Sequence, residues 1–166
     1  MILKRILLFL VLSLLLCETS FLYEKYEALR NIGNKFELLI EDFARDDAEK
    51  ISLTKERLRT VAELRLRKEG MLIVKEGLEI PMIHVKATVV GLAYEVSLTI
   101  YEWAVLTRFI TPFKWTIVAT WWGSIVGNHG GDSDEIISRL NELFDTFFND
   151  YYKANPKEKK EARSWT

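Results

Sequence analysis

The residue types that could do chemistry gather in one stretch. Gly123-Ser124-Ile125-Val126-Gly127-Asn128-His129-Gly130-Gly131-Asp132 holds four glycines, a histidine and a carboxylate. Glycines ahead of a helix can cradle a phosphate on backbone N–H groups. This run lacks the Gly-Lys-Ser/Thr ending of a phosphate loop and the Gly-x-Gly-x-x-Gly spacing of a dinucleotide site. Asp132 and Asp134 stand where a helix would begin and would repel an anion. Asp132 with Glu135 three residues later fits a capping box instead. His129 with Asp132 or Asp134 and the distant His84 makes a weak metal set, because no paired-histidine spacing is present. A surface position in the loop is the expected one for His129. The serines have no legible histidine–acid partnership, and Glu37, Glu41 and Asp42 have no general acid beside them. Nothing here points to a catalytic residue, a cofactor or a metal. A hydrolase centred on His129 is the weakest of the functional alternatives.

The tryptophans carry a different signal. Trp103, Trp115, Trp121 and Trp122 lie within twenty residues of one another. Trp121 and Trp122 are consecutive, so in a strand they point to opposite faces. If helices cover one face of the sheet, one of the two indoles is exposed or meets a partner. Trp121, Trp122 and His129 are therefore the candidate interaction residues. Exposed tryptophans also suit a glycan or small-ligand groove.

Periodicity supplies the elements that would position these residues. Lys35 to Ala44 reads as a strand with Phe36, Leu38 and Ile40 on one face. Ser52 or Thr54 can cap a helix running to about Glu69, with Leu58, Val61, Ala62 and Arg65 sharing a face and Gly70 as its stop. Its arginines read as a solvated face with pairs such as Glu63–Arg67. Met71 to Val74 is a short apolar run. Ile83 to Val90 alternates, and Ala93 to about Arg108 is a long strand with Tyr94, Val96, Leu98 and Ile100 facing one way. Thr111-Pro112 marks a turn, and Trp115 to Trp122 is the last strand, giving way to the glycine-rich loop. Ser133 to about Lys153 is the strongest helix signal, with Ile136, Leu140, Leu143, Phe144, Phe147 and Tyr151 on one face. The order is β-α-β-β-β-β-α. This predicts an α+β domain, a mainly antiparallel sheet of four or five strands with two helices on one face.

With 166 residues and a net charge of −1, the chain has room for one domain and no basic excess for nucleic acid. Met1 to Arg5 is a short basic segment, Ile6 to Leu16 is apolar except for Ser13, and Cys17 and Thr19 occupy small-residue positions of a cleavage site. That order reads as a secretory signal over residues 1–19. An uncleaved anchor is the alternative, and Leu14-Leu15-Leu16-Cys17 loosely resembles a lipobox whose residue before the cysteine is Leu16 rather than Gly, Ala or Ser. Membrane attachment is expected only through such a signal or a lipidated Cys17. Residues 20–34 read as an N-terminal segment or linker, 35–154 as the domain and 155–166 as a charged tail.

Several runs together resemble a family of uncharacterised exported bacterial proteins. They are Ala62-Glu63-Leu64-Arg65-Leu66-Arg67-Lys68-Glu69-Gly70, Ala119-Thr120-Trp121, Gly127-Asn128-His129-Gly130, and the ending Leu143 to Pro156. The element order is also similar to the N-terminal domain of TolB and to LpoB-type periplasmic lipoproteins. The resemblance implies a periplasmic or cell-envelope location and supplies no catalytic residues. The expected function is a non-enzymatic module that binds another envelope protein through a sheet face or edge.

Overall fold

In the computed structural model, residues 25–41, 47–75, 80–105 and 115–156 are described. The expected signal segment with Cys17, the expected turn at Thr111-Pro112 and the residues beyond 156, expected as a charged tail, lie outside them. The architecture is α+β. After a 3-10 turn at Lys25–Leu29 come β1 (Lys35–Ile40), the one-turn α1 (Asp47–Lys50), α2 (Lys55–Lys68), β2 (Leu72–Val74), β3 (Met82–Val90), β4 (Ala93–Val105), β5 (Trp115–Asn128) and α3 (Ser133–Ala154). The strands form one mixed sheet in the order β2-β1-β3-β4-β5. Strands β3, β4 and β5 make the expected antiparallel meander, while β1 runs parallel to both β2 and β3.

The alternation in the sequence becomes the two faces of this sheet. Phe36, Leu38 and Ile40 of β1, Ile83, Val85, Ala87 and Val89 of β3, and Tyr94, Val96, Leu98 and Ile100 of β4 are buried. Helix α3 lays Ile136, Leu140, Phe144, Phe147 and Tyr151 over them, one residue every three or four, as a 3.6-residue period requires. Phe147 packs at 5.4 Å between ring centres against Trp121 and at 6.2 Å, edge-on, against Phe36. Helix α2 adds Leu58, Ala62 and Leu66. Thr54 caps it by accepting from the Arg57 N–H. It stops at Gly70, whose φ of 74° is cheap only for glycine. There Gly70 N–H bonds Arg67 O and Met71 N–H bonds Leu66 O, which satisfies two of the orphan carbonyls. Two of its arginines do more than face solvent: Arg57 reaches Ser133 and Asp134, and Arg65 reaches Asp145, tying α2 to α3. The Glu63–Arg67 pair is present at 2.9 Å.

The folded unit reaches back beyond Lys35. Leu29 and Ile32 belong to the core. Asn155, itself buried, donates to Leu29 O and accepts from the Asn31 N–H, and the Tyr151 hydroxyl donates to Gly33 O. These bonds hold the segment before β1 against the C-terminal end of α3.

Candidate functional site

Strand β5 corrects the expected glycine loop. It continues without a break to Asn128, so Gly123 and Gly127 are strand residues rather than loop residues. Both are needed on the core face. A Cβ on Gly127 would lie 2.6 Å from the Tyr94 hydroxyl oxygen, and one on Gly123 would lie 3.0 Å from a Leu143 methyl and 3.3 Å from the Trp121 indole. Tyr94 stands directly opposite Gly127 in the ladder and lies over it.

His129 is buried, which overturns the expected surface position. Its Nδ1 accepts from the Gly131 N–H at 2.9 Å, and its Nε2 lies 2.9 Å from Gly91 O, the carbonyl of the β3–β4 turn. One neutral tautomer, with the proton on Nε2, satisfies both contacts. The ring thus ties the start of α3 to the neighbouring β3–β4 turn. Asp132 caps α3 through the Asp134 N–H, but Glu135 pairs with Arg139 instead of closing a capping box. Among the described residues, no three His, Cys, Asp or Glu side chains gather to hold a metal.

The tryptophan pair divides between the faces as alternation requires. Trp121 is fully buried, and its indole N–H donates to Asp150 at 2.9 Å. Trp122 is 61% exposed on the face opposite the helices. A β-bulge decides what surrounds it. The β4–β5 register passes from Ile100↔Trp121 to Tyr101↔Ala119, leaving Thr120 as the extra residue, with its hydroxyl 3.4 Å from Ile100 O. One extra residue inverts the facing of everything before it. Trp115 and Ile117 would otherwise point into the core beside Trp121. They stand instead on the open face, where Trp103 is opposite Ile117 and Val105 is opposite Trp115. Trp103 is 42% and Trp115 57% exposed there.

This face has two halves. The β4–β5 half exposes Trp103, Trp115, Ile117, Trp122 and Val126, with Glu95 and Ser124 among them. The β1–β3 half exposes Leu39 and Val90 and carries a charged group: Glu41 holds His84 at 3.1 Å and Lys86 at 3.0 Å, and its hydrogen bond and charge raise the Lys86 pKa. Between the halves lies a shallow depression of about 70 Å³ lined by Glu37, Met82, Tyr101, Glu102, Trp103 and Ile117. Trp121, Trp122 and His129 are the interaction residues expected from the sequence. Of these the open face holds only Trp122, and it adds Trp103, Trp115 and Ile117. The chain matches no protein-family model and no curated protein sequence. No described helix is long and apolar enough to cross a membrane.

Proposed function

We propose that this is a non-enzymatic, exported cell-envelope module that docks another envelope protein on the open face of its sheet, around Trp122, Trp103, Trp115 and Ile117. The observation that carries this reading is the grouping of three exposed indoles and a neighbouring isoleucine on two adjacent strands, flanked by a paired-charge region. An apolar centre with a polar border is the usual anatomy of a protein interface, and tryptophan is the commonest anchor in one. The relief supports a protein over a small ligand. Ligand pockets commonly enclose about 300–1,000 Å³, and the depression here is about 70 Å³. A hydrolytic role for His129 has no geometric support, since both ring nitrogens are committed to backbone groups inside the protein. The export part of the reading rests on the order of residues 1–19 and predicts a mature chain starting near Ser20 by mass spectrometry. A mature chain that begins at Met1 contradicts it.

The docking reading is tested with a partner captured from the envelope fraction, identified, purified and titrated against the protein. Trp103→Ser or Trp122→Ser should weaken that complex by about 2 kcal/mol, or about 30-fold in Kd, with no loss of melting temperature. Affinities unchanged in both variants would refute the placement of the interface.

A further inference from the structure

We propose that two copies of this chain pair edge to edge through the second half of β5, joining their sheets into one ten-stranded platform. Among the described residues strand β5 is the last of the sheet, and Trp115–Asn128 contains no Asp, Glu, Lys, Arg or Pro. Edge strands normally carry such residues to keep other chains from adding on. Within the strand itself the bulge at Thr120 is such a device, and it leaves Trp121–Asn128 as a regular strand beyond it.

The ladder fixes which groups face outward. His129 N–H bonds Leu92 O, so the inward-facing residues Gly127, Ile125 and Gly123 exchange their hydrogen bonds with β4. Alternation then turns the N–H and C=O groups of Ser124 and Val126 toward the edge. A second copy suits that edge better than an unrelated chain because the strand is its own complement. An uncharged strand set antiparallel to itself brings no like charges together. A two-fold axis through Ser124 keeps open face beside open face. It also sets Trp122 of each copy opposite Val126 of the other, an aromatic–β-branched pair made twice. Val126 is the most exposed large apolar residue of the described chain, at 72%, and has the most to gain. The edge and the docking face share Trp122, so the edge is tested through Ser124 and the face through Trp103.

The solution mass of the protein, measured by light scattering or sedimentation, should be twice that of the chain. Ser124→Lys places two cations across the axis and should return the mass to that of one chain. Leu39→Lys, on the same face but away from the edge, should leave the doubled mass intact. In a Cys17→Ser background, Ser124→Cys should cross-link between copies under mild oxidation. The two Cα atoms meet at about 5.5 Å in such a pair, inside the roughly 4.4–6.8 Å that a disulfide spans. This second readout stands even if Ser124→Lys fails to fold. A single-chain mass at every concentration, a dimer that Ser124→Lys leaves whole, or a dimer that Ser124→Cys does not cross-link would each overturn the proposal.

Discussion

Replacing Gly127 by alanine tests the packing that sets β5 in place. A Cβ built there lies 2.6 Å from the Tyr94 hydroxyl oxygen, 2.8 Å from Cζ and 3.0 Å from Cε1. Carbon contacts are comfortable at about 3.5–4.0 Å, so the ring must retreat by roughly 1 Å. Tyr94 is buried and belongs to the core cluster. Overpacking of this kind costs about 1–3 kcal/mol. The sign is the informative part. In open space, Gly→Ala would stabilise the protein by about 0.4–1 kcal/mol, because it restricts the unfolded chain. Urea denaturation should therefore show Gly127→Ala less stable than the parent. The same change made on a Tyr94→Ala background should lose its penalty, and the cycle of four proteins measures the coupling directly. Gly123→Ala should cost less, because its nearest obstacle is a methyl group of Leu143 that can rotate. A Gly127→Ala protein as stable as the parent, or an unchanged penalty without the tyrosine ring, would refute the argument.

Other consequences follow from the same contacts. Phe147→Ala removes a fully buried ring that touches Trp121, Phe36 and Tyr151, and calorimetry should record a loss of about 3–5 kcal/mol. His129→Phe leaves Gly131 N–H and Gly91 O without their ring partners and should cost about 1–3 kcal/mol. The parent's melting temperature should be the same in chelator and in zinc, and a zinc-dependent rise that His129→Phe abolishes would contradict this role. The Tyr152 hydroxyl, bonded to Glu69, has its pKa pushed up to about 12, first by burial and then by the Glu69 charge and hydrogen bond. Its folded pKa exceeds the unfolded value of about 10. It therefore stabilises the fold fully below pH 10, and that contribution is lost as pH rises through about 12. A tyrosinate absorbance titration should show a late step that Tyr152→Phe removes.

The order of the longer elements was legible because each one carries its own period, whereas the one-turn α1 at Asp47–Lys50 is too short to show one. Phe36-x-Leu38-x-Ile40 and Tyr94-x-Val96-x-Leu98-x-Ile100 alternate, and Ile136 to Tyr151 repeats every three or four residues. What local pattern does not encode is which element meets which. The parallel placing of β1 beside β3 is a choice among distant partners. Gly123 and Gly127 look like breakers until Trp121 and Tyr94 are seen lying over them. His129 looks like a loop residue because its anchor, Gly91 O, comes from a turn thirty-eight positions away. The segment from Lys25 looked like a linker because Asn155, which holds it, lies at the other end of the chain.

The candidate face was legible only in part, for one physical reason. Alternation alone separates Trp121 from Trp122. It also assigns Trp115 and Ile117 to the core side with Trp121, and only the bulge at Thr120 reverses that. No residue in Ala119-Thr120-Trp121 announces a bulge. The register of β4 against β5 creates it, and with it the aromatic cluster on the open face.

The most direct measurement of the docking claim is site-specific photo-cross-linking in cells that make the protein. A photoreactive residue at Ala119 would sit on the open face, opposite Tyr101 in the ladder and close to Ile117 and Trp122. The same residue at Ser138, on the exposed surface of α3, is the control. Position 119 should give a discrete product that contains a polypeptide other than this chain, absent from position 138 and lost with Trp103→Ser. No such product from position 119, or the same products from both positions, would contradict it.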